Sequence, residues 1–158
     1  EHGVVQAWSS RRAGPGELGP AQPPARRAVV AEIVAGWITG SMALLADAAG
    51  GKLLFIAGQI AWNEKQKIVS HDFVEQFDRA LANVVAVIKA ANGQPEDIAR
   101  LVIYVTNKGE YRSRTREVGE RYRTHLGKHF PAMALVEVSG LLDDEAKVEI
   151  EGIALIPA

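Results

Sequence analysis

From residue 51 to the end of the chain, apolar and polar positions follow two different spacings, and the change between them predicts the order of elements. Apolar runs that are continuous or alternating, and rich in β-branched residues, are typical of strands. They occur at residues 52–61 (KLLFIAGQIA), 101–106 (LVIYVT), 132–138 (AMALVEV) and 147–156 (KVEIEGIALI). A Gly-Gly-Lys turn before the first run indicates that this strand is the second half of a hairpin.

Two stretches between these strands repeat their apolar residues every three or four positions, as amphipathic helices do. Asp72, with Glu75 three residues later, predicts the start of the first helix, and the Ala-Asn-Gly sequence at 91–93 predicts its end. Pro95 and the two acids after it predict a short helical turn. A second helix follows Gly109 and carries along one face Tyr111, Thr115, Val118, Tyr122 and Leu126.

The order of hairpin, helix, strand, helix and two strands predicts an α+β fold, with one mixed sheet and both helices packed on one of its faces. Apolar residues occur on both sides of the predicted strands, so the second face cannot be left in water. We therefore predict that the chain oligomerises through that face.

Residues 1–50 have a different composition, and we assign them to an atypical N-terminal extension that precedes a domain at residues 51–158. Residues 11–27 (RRAGPGELGPAQPPARR) combine Gly and Pro with arginine pairs, which predicts a linker. Residues 28–51 are apolar, with Glu32 and Asp47 as their charged residues. Their length approaches that of a bilayer span, but a central carboxylate costs about 2.5–3.5 kcal/mol in a membrane. We favour a buried segment of a soluble protein over a membrane contact.

Residues 28–49 also weakly resemble a transmembrane segment of cation diffusion facilitator transporters, where a SxALLADA run precedes metal-binding His and Asp. Here Gly50 and Leu54 occupy those positions, and neither side chain can bind a metal. The resemblance therefore implies no metal site.

The composition narrows the classes of function. The 158 residues are 47% hydrophobic and 23% charged, which suits one globular domain. The formal net charge of −1 provides no overall attraction to nucleic acid or anionic lipid. The absence of cysteine excludes disulfides, thiolate metal sites and a cysteine nucleophile, and it suits a reducing compartment. We predict a cytoplasmic protein.

Two clusters of candidate functional residues have simpler explanations. His125 and His129 are four residues apart but lack a third metal ligand, so surface histidines are favoured. Basic residues between Lys108 and Arg123, with tyrosines interleaved, suit contacts with phosphates and bases. Glutamates in the same stretch favour ion pairs at helical spacing on a solvated face instead.

Glu149 and Glu151 lie two apart on the last predicted strand, and therefore on the same side of the sheet. Two neighbouring carboxylates repel each other, which can raise a pKa enough for proton transfer. The spacing leaves open whether this is a functional carboxylate or an exposed strand face.

Together, the KLLFIAGQIA strand, residues 73–107, the HFPAMALVEVSGL stretch and the VEIEGIALI strand resemble the Rid family, the reactive intermediate deaminases also called the YjgF or endoribonuclease L-PSP family. The resemblance spans residues 51–157. It implies a chorismate-mutase-like α+β fold, a homotrimer with small-molecule pockets between subunits, and no cofactor. It further implies hydrolysis of enamines and imines such as 2-aminoacrylate to 2-oxoacids and ammonia.

The same resemblance implies the site residues. Glu149 matches the glutamate that positions water and is the catalytic candidate. Gly58, Met133 and Leu135 match residues that bind substrate, but Met133 stands where the family has an arginine that pairs with the substrate carboxylate. Leu135 replaces a small polar or cysteine residue, and Ala43 falls at the position of the family's tyrosine.

We therefore expect a pocket that binds a neutral or less acidic imine-like metabolite. Whether the protein also hydrolyses this metabolite is left open by the sequence. We expect inefficient turnover of 2-aminoacrylate. One alternative is a trimer that senses a ligand without turnover. Another is an RNA-binding or ribonuclease role, which the ion-paired basic cluster disfavours. Neither a membrane nor a nucleic acid is an expected partner.

Overall fold

The structure, a computed structural model, describes residues 43–48 and 50–158. These residues form an α+β fold around one five-stranded mixed sheet, as predicted. The strands are β1 (Ala43–Ala48), β2 (Gly51–Gln59), β3 (Ile98–Val105), β4 (Ala132–Glu137) and β5 (Val148–Pro157). Their order across the sheet is β1-β2-β5-β3-β4, and the β3–β4 pair is parallel while the other neighbours are antiparallel.

The first two strands form the predicted hairpin. β1 pairs with β2 along its whole length, from Ala43 opposite Ile56 to Ala48 opposite Gly51. Gly50 in the turn has a φ of +84°, a conformation that glycine adopts without strain. β1 lies within the segment that we assigned to the extension, so the sheet begins before residue 51. The boundary at residue 50 stays a prediction, and the predicted linker at 11–27 lies outside the described residues.

Helix α1 (Phe73–Ala90) has the two ends that the sequence predicts. The Asp72 side chain accepts hydrogen bonds from the backbone N–H groups of Val74 and Glu75, both at 3.0 Å. At the other end, Asn92 has a φ of 62°, which takes the chain out of the helix. The helical turn predicted at Pro95 is also present, as a 3-10 turn at Pro95–Asp97.

The second predicted helix is two helices, so the prediction of one continuous helix was wrong. α2 (Lys108–Ser113) and α3 (Thr115–Leu126) meet at Arg114, whose φ of −125° breaks the helical path. The Arg114 guanidinium donates to the Asp72 carboxylate at the start of α1 and to Glu117 in α3. Hydrophobic spacing could not reveal this break because ion pairs, not apolar contacts, accompany it.

Both α1 and α3 pack on the same face of the sheet, as predicted, and the core lies between them and the strands. Strand β5 shows the division of faces most clearly. Its buried residues alternate with residues on the other face, which we call the open face. The core side of β5 carries Val148, Ile150, Gly152, Ala154 and Ile156, and the open face carries Glu149, Glu151, Ile153 and Leu155.

The open face presents apolar side chains without a covering layer among the described residues. Phe55 lies opposite Ile153, and Leu53 lies opposite Leu155. Phe55 is 39% exposed and Leu155 is 55% exposed. Paired apolar residues left open to water favour association with another surface. The predicted oligomerisation stays a prediction that this face supports.

Candidate functional site

The Glu149 carboxylate lies on the open face against the backbone of Gly58. A Cβ atom placed on residue 58 would be 1.8 Å from Oε1 of Glu149, far inside contact distance. The register of β2 against β5 shifts between Ile56 and Gln59, so Gly58 sits at an irregular point of the strand pair. Only glycine leaves room for the carboxylate here, so these two residues form one local arrangement.

Glu149 and Glu151 share this face, as predicted, but their environments differ. The Tyr104 hydroxyl donates a hydrogen bond of 3.1 Å to Oε1 of Glu151, and this bond raises the pKa of Tyr104. No hydrogen bond reaches the Glu149 carboxylate from the described part of the chain. Burial, and then the charge of Glu151, raise the pKa of Glu149 above its usual value. A carboxyl group in this state suits proton transfer to or from a ligand.

Met133 and Leu135 lie on the other side of the sheet. Met133 pairs with the buried Leu101, and Leu135 pairs with Ile103, so both face the helices. Leu135 packs against the core. The structure therefore groups the four predicted site residues in two pairs, Gly58 with Glu149 and Met133 with Leu135, on opposite faces of one sheet.

Met133 lines a cavity of about 190 Å³ between β4 and α3. Most of its wall is apolar or aromatic, and its polar groups are contributed mainly by α2 and α3. The lining residues that bear on its chemistry are Tyr111, Thr115, Gly119, Tyr122, Arg123 and Phe130. The rings of Tyr122 and Phe130 stack at 5.7 Å between centroids with an angle of 8° between their planes. Sequence reasoning missed this cavity, although Thr115, Gly119 and Arg123 recur at the four-residue spacing of one helix face.

Two arginines of the basic cluster are held in ion pairs at the helical spacing that the sequence predicts. Arg114 pairs with Glu117 three residues on, with 2.6 Å between Nη2 and Oε2. Arg116 pairs with Glu120 four residues on, with 3.2 Å between Nε and Oε1. These cations are therefore already neutralised by neighbouring carboxylates.

The two neighbouring histidines have separate partners. His125 lies 2.8 Å from an oxygen of Asp78, and His129 lies 2.7 Å from the carbonyl oxygen of Ile98. Both are partly exposed, and each makes a hydrogen bond within the chain. Within the described residues no group of three His, Cys, Asp or Glu side chains is placed to hold a metal ion.

Comparison with known proteins places residues 44–156 in a family described as endoribonuclease L-PSP. The chain belongs to this family. A RutC family protein of Pyrococcus horikoshii is 34% identical over 105 residues, which cover 66% of this chain and 79% of that protein. The 2-iminobutanoate/2-iminopropanoate deaminase of Escherichia coli K12 is 32% identical over 108 residues, covering 66% and 80%. A solved structure of the Rid family protein YyfA from Yersinia pestis has a TM-score of 0.60 at 31% identity and covers 71% of this chain and 85% of that one.

The family match confirms the resemblance to Rid proteins, but it does not support the resemblance to a transporter segment. The likeness of residues 28–49 to a cation diffusion facilitator is not borne out. The family match instead begins at residue 44, within strand β1 (Ala43–Ala48). Among the described residues no helix is long and apolar enough to cross a membrane.

Proposed function

We propose that this chain forms a Rid-type homotrimer whose intersubunit pocket binds a small imine or enamine metabolite and hydrolyses it. The observation that carries this proposal is the Glu149 carboxylate, which is half-buried over Gly58 with a raised pKa. The relative from Escherichia coli, named for the deamination of two imino acids, supports the same class of reaction.

The position of the two residue pairs supports a pocket between subunits. Glu149 and Met133 lie on opposite faces of one sheet, so one small ligand cannot touch both side chains of the same chain. A second copy that covers the open face would bring its own helix-side residues towards Glu149. The exposed apolar residues of that face, among them Phe55 and Leu155, favour such packing.

The reaction needs little beyond a positioned water molecule and a proton carrier. An enamine first takes a proton on carbon to become an iminium ion. Water then adds to the carbon of the C=N bond while Glu149 accepts a proton from that water, giving a neutral carbinolamine. Glu149 returns this proton to nitrogen, the C–N bond breaks to release ammonia, and the hydroxyl group gives up its proton as the carbonyl group forms, which balances the proton taken up in the first step. A carboxyl group with a raised pKa is better suited to both transfers than an ordinary exposed carboxylate.

Met133 bears on which substrate is used. The family resemblance places a carboxylate-binding arginine at this position, and a methionine provides polarisable apolar surface without a charge. Loss of a charge-assisted bidentate pair weakens binding of a small anion strongly. We therefore expect inefficient hydrolysis of 2-aminoacrylate, whose small apolar part offers few other contacts.

The test is hydrolysis of 2-aminoacrylate generated in situ by a dehydratase, with release of 2-oxoacid and ammonia measured for wild type, Met133→Arg and Glu149→Gln. We expect weak activity in wild type, a gain in Met133→Arg and a loss in Glu149→Gln. Glu120→Gln, which changes an exposed carboxylate on α3, is the matched control for the loss of charge. Unchanged turnover and binding in Glu149→Gln would show that the site is assigned wrongly.

Two further measurements, of thermal stability with ligand and of RNA affinity against salt, separate the alternatives. A trimer that senses a ligand would show stabilisation by ligand without turnover in any variant. A role in RNA binding would show an affinity that falls steeply with salt. The RNA role is disfavoured because Arg114 and Arg116 are already paired with glutamates.

A further inference from the structure

We propose that Arg123 binds the carboxylate group of a small ligand in the cavity between α3 and β4, so the ligand is an organic acid with a short apolar side chain. This proposal rests on the proposed function for the reaction that the ligand undergoes, but binding in the cavity can be measured without turnover. Met133 alone indicates a neutral ligand, whereas a cation on the helix lets the cavity take an acid whose apolar part, larger than that of 2-aminoacrylate, contacts the wall. The cation is contributed by the helix instead of the strand.

The position of Arg123 is the first reason. Arg123 and Met133 line the same cavity from α3 and β4. A Cβ atom placed on Gly119 would be 3.5 Å from Nη1 of Arg123, so the guanidinium lies along the helix beside the glycine one turn earlier. Because Gly119 has no side chain, no side-chain atom of residue 119 lies between the guanidinium and a ligand in the cavity.

The second reason is the set of hydrogen-bond donors that have no partner. Unlike Arg114 and Arg116, Arg123 makes no ion pair or hydrogen bond with any side chain in residues 43–48 and 50–158. The hydroxyl groups of Tyr111 and Thr115 line the same cavity, and they too make no hydrogen bond within these ranges. A guanidinium and two hydroxyls are suited to the two oxygens of a carboxylate.

The rest of the wall determines the body of the ligand. Val118, Ile103 and Met133 provide aliphatic surface, and the stacked rings of Tyr122 and Phe130 provide a flat aromatic surface. A volume of about 190 Å³ corresponds to about six water molecules, which matches a small organic molecule. An acid of about seven non-hydrogen atoms, such as a four-carbon 2-oxoacid, matches this space and chemistry.

The test is equilibrium binding of 2-oxobutanoate to the full chain, measured by ligand-observed NMR, with its uncharged amide and inorganic phosphate as comparison probes. We expect 2-oxobutanoate to bind, and Arg123→Gln to weaken it about tenfold or more, as the loss of a charge-assisted bond predicts. Arg121→Gln is the matched control. It removes the same charge from α3, but Arg121 lines a different surface groove with Glu117 and Glu120. We expect it to change affinity by less than about twofold, the scale of a distant surface charge.

Each result gives an answer. The proposal is overturned if wild type does not bind 2-oxobutanoate, if the amide or phosphate binds equally well, or if both arginine variants weaken binding equally. Circular dichroism of Arg123→Gln checks that a loss of binding is not a loss of fold. If Arg123→Gln loses binding while no variant shows turnover, the cavity assignment stands and the proposed hydrolysis fails. If Glu149→Gln loses turnover but still binds 2-oxobutanoate, both stand.

Discussion

Replacement of Gly58 by alanine tests directly whether the Glu149 carboxylate lies over this residue. The added Cβ would be 1.8 Å from Oε1, 2.6 Å from Cδ and 2.9 Å from Cγ of Glu149. Ordinary contacts begin near 3.4 Å, so the carboxylate has to move by more than an ångström. A displacement of this size forces the side chain out of its rotamer or shifts the backbone.

The free-energy cost follows from these distances. Overpacking of a well-filled site costs about 1–3 kcal/mol, and Gly58→Ala should destabilise the protein by an amount in this range. Truncation of Glu149 to alanine removes the three atoms that the new methyl group meets. In the Glu149→Ala background, Gly58→Ala should therefore cost little. The double-mutant cycle should show a coupling of about 1–2 kcal/mol between the two sites.

The assay is urea unfolding of wild type, both single variants and the double variant at one protein concentration, since an oligomer's apparent stability depends on concentration. Turnover and ligand binding can be measured on the same four proteins. If the two substitutions are additive within about 0.5 kcal/mol, the carboxylate does not occupy the space above Gly58. The site described here would then be incorrect.

Three further predictions concern the cap of α1, the glycine in α3 and the ionisation of Glu149. Asp72→Ala should lower the free energy of unfolding in urea by about 0.5–2 kcal/mol because it removes the N-cap of α1. Asp72→Asn should retain most of the cap, so equal losses in the two variants would contradict this role. Gly119→Ala should stabilise α3 by about 0.8–1 kcal/mol, since the new Cβ would meet no atom closer than 3.5 Å. Gly109→Ala should stabilise the protein less, because its Cβ would lie 2.9 Å from Oδ1 of Asn107, which caps α2. The pKa of Glu149 is raised above 4.5 in the folded protein, so its ionisation costs more in the folded state than in the unfolded state. The protein therefore loses stability as pH rises from 4.5 through the folded-state pKa. Glu149→Gln should therefore melt above wild type at about pH 8 and equal it at about pH 4, and a difference independent of pH would contradict the burial of this carboxyl.

The sequence predicted most of the fold because the periodic patterns and the structure depend on the same physical property, the burial of apolar side chains. The ends of α1 could be predicted since capping by Asp72 and the left-handed turn at Asn92 are local. The break at Arg114 could not, because it coincides with contacts to Asp72, 42 residues away in the chain. Strand β1 was placed in an extension because its composition resembles that of the residues before it.

The site was predicted less completely, for a different reason. Strand alternation placed Glu149 and Glu151 on one face, and a resemblance to a family supplied Gly58 and Met133. The family match gave no indication of Arg123, and the periodicity that contains it was attributed to a solvated ion-paired face. Distinguishing Arg123 from the paired arginines requires knowing which side chains have partners, and that depends on tertiary structure.

The division of the site between two faces leads to a test that no single variant provides. If each pocket takes Glu149 from one copy and the Arg123 cavity from another, then Glu149→Gln alone should be inactive, and Arg123→Gln alone should show about a tenth of the wild-type rate or less at low substrate concentration. When the two are unfolded together and refolded, pockets with an intact Glu149 from one chain and an intact Arg123 from its neighbour form by chance. When equal amounts of the two chains assemble at random, about one quarter of the pockets contain both an intact Glu149 and an intact Arg123. Hydrolysis of 2-iminobutanoate, generated from threonine by a dehydratase, should then recover to about a quarter of the wild-type rate, whereas a site within one chain would recover none.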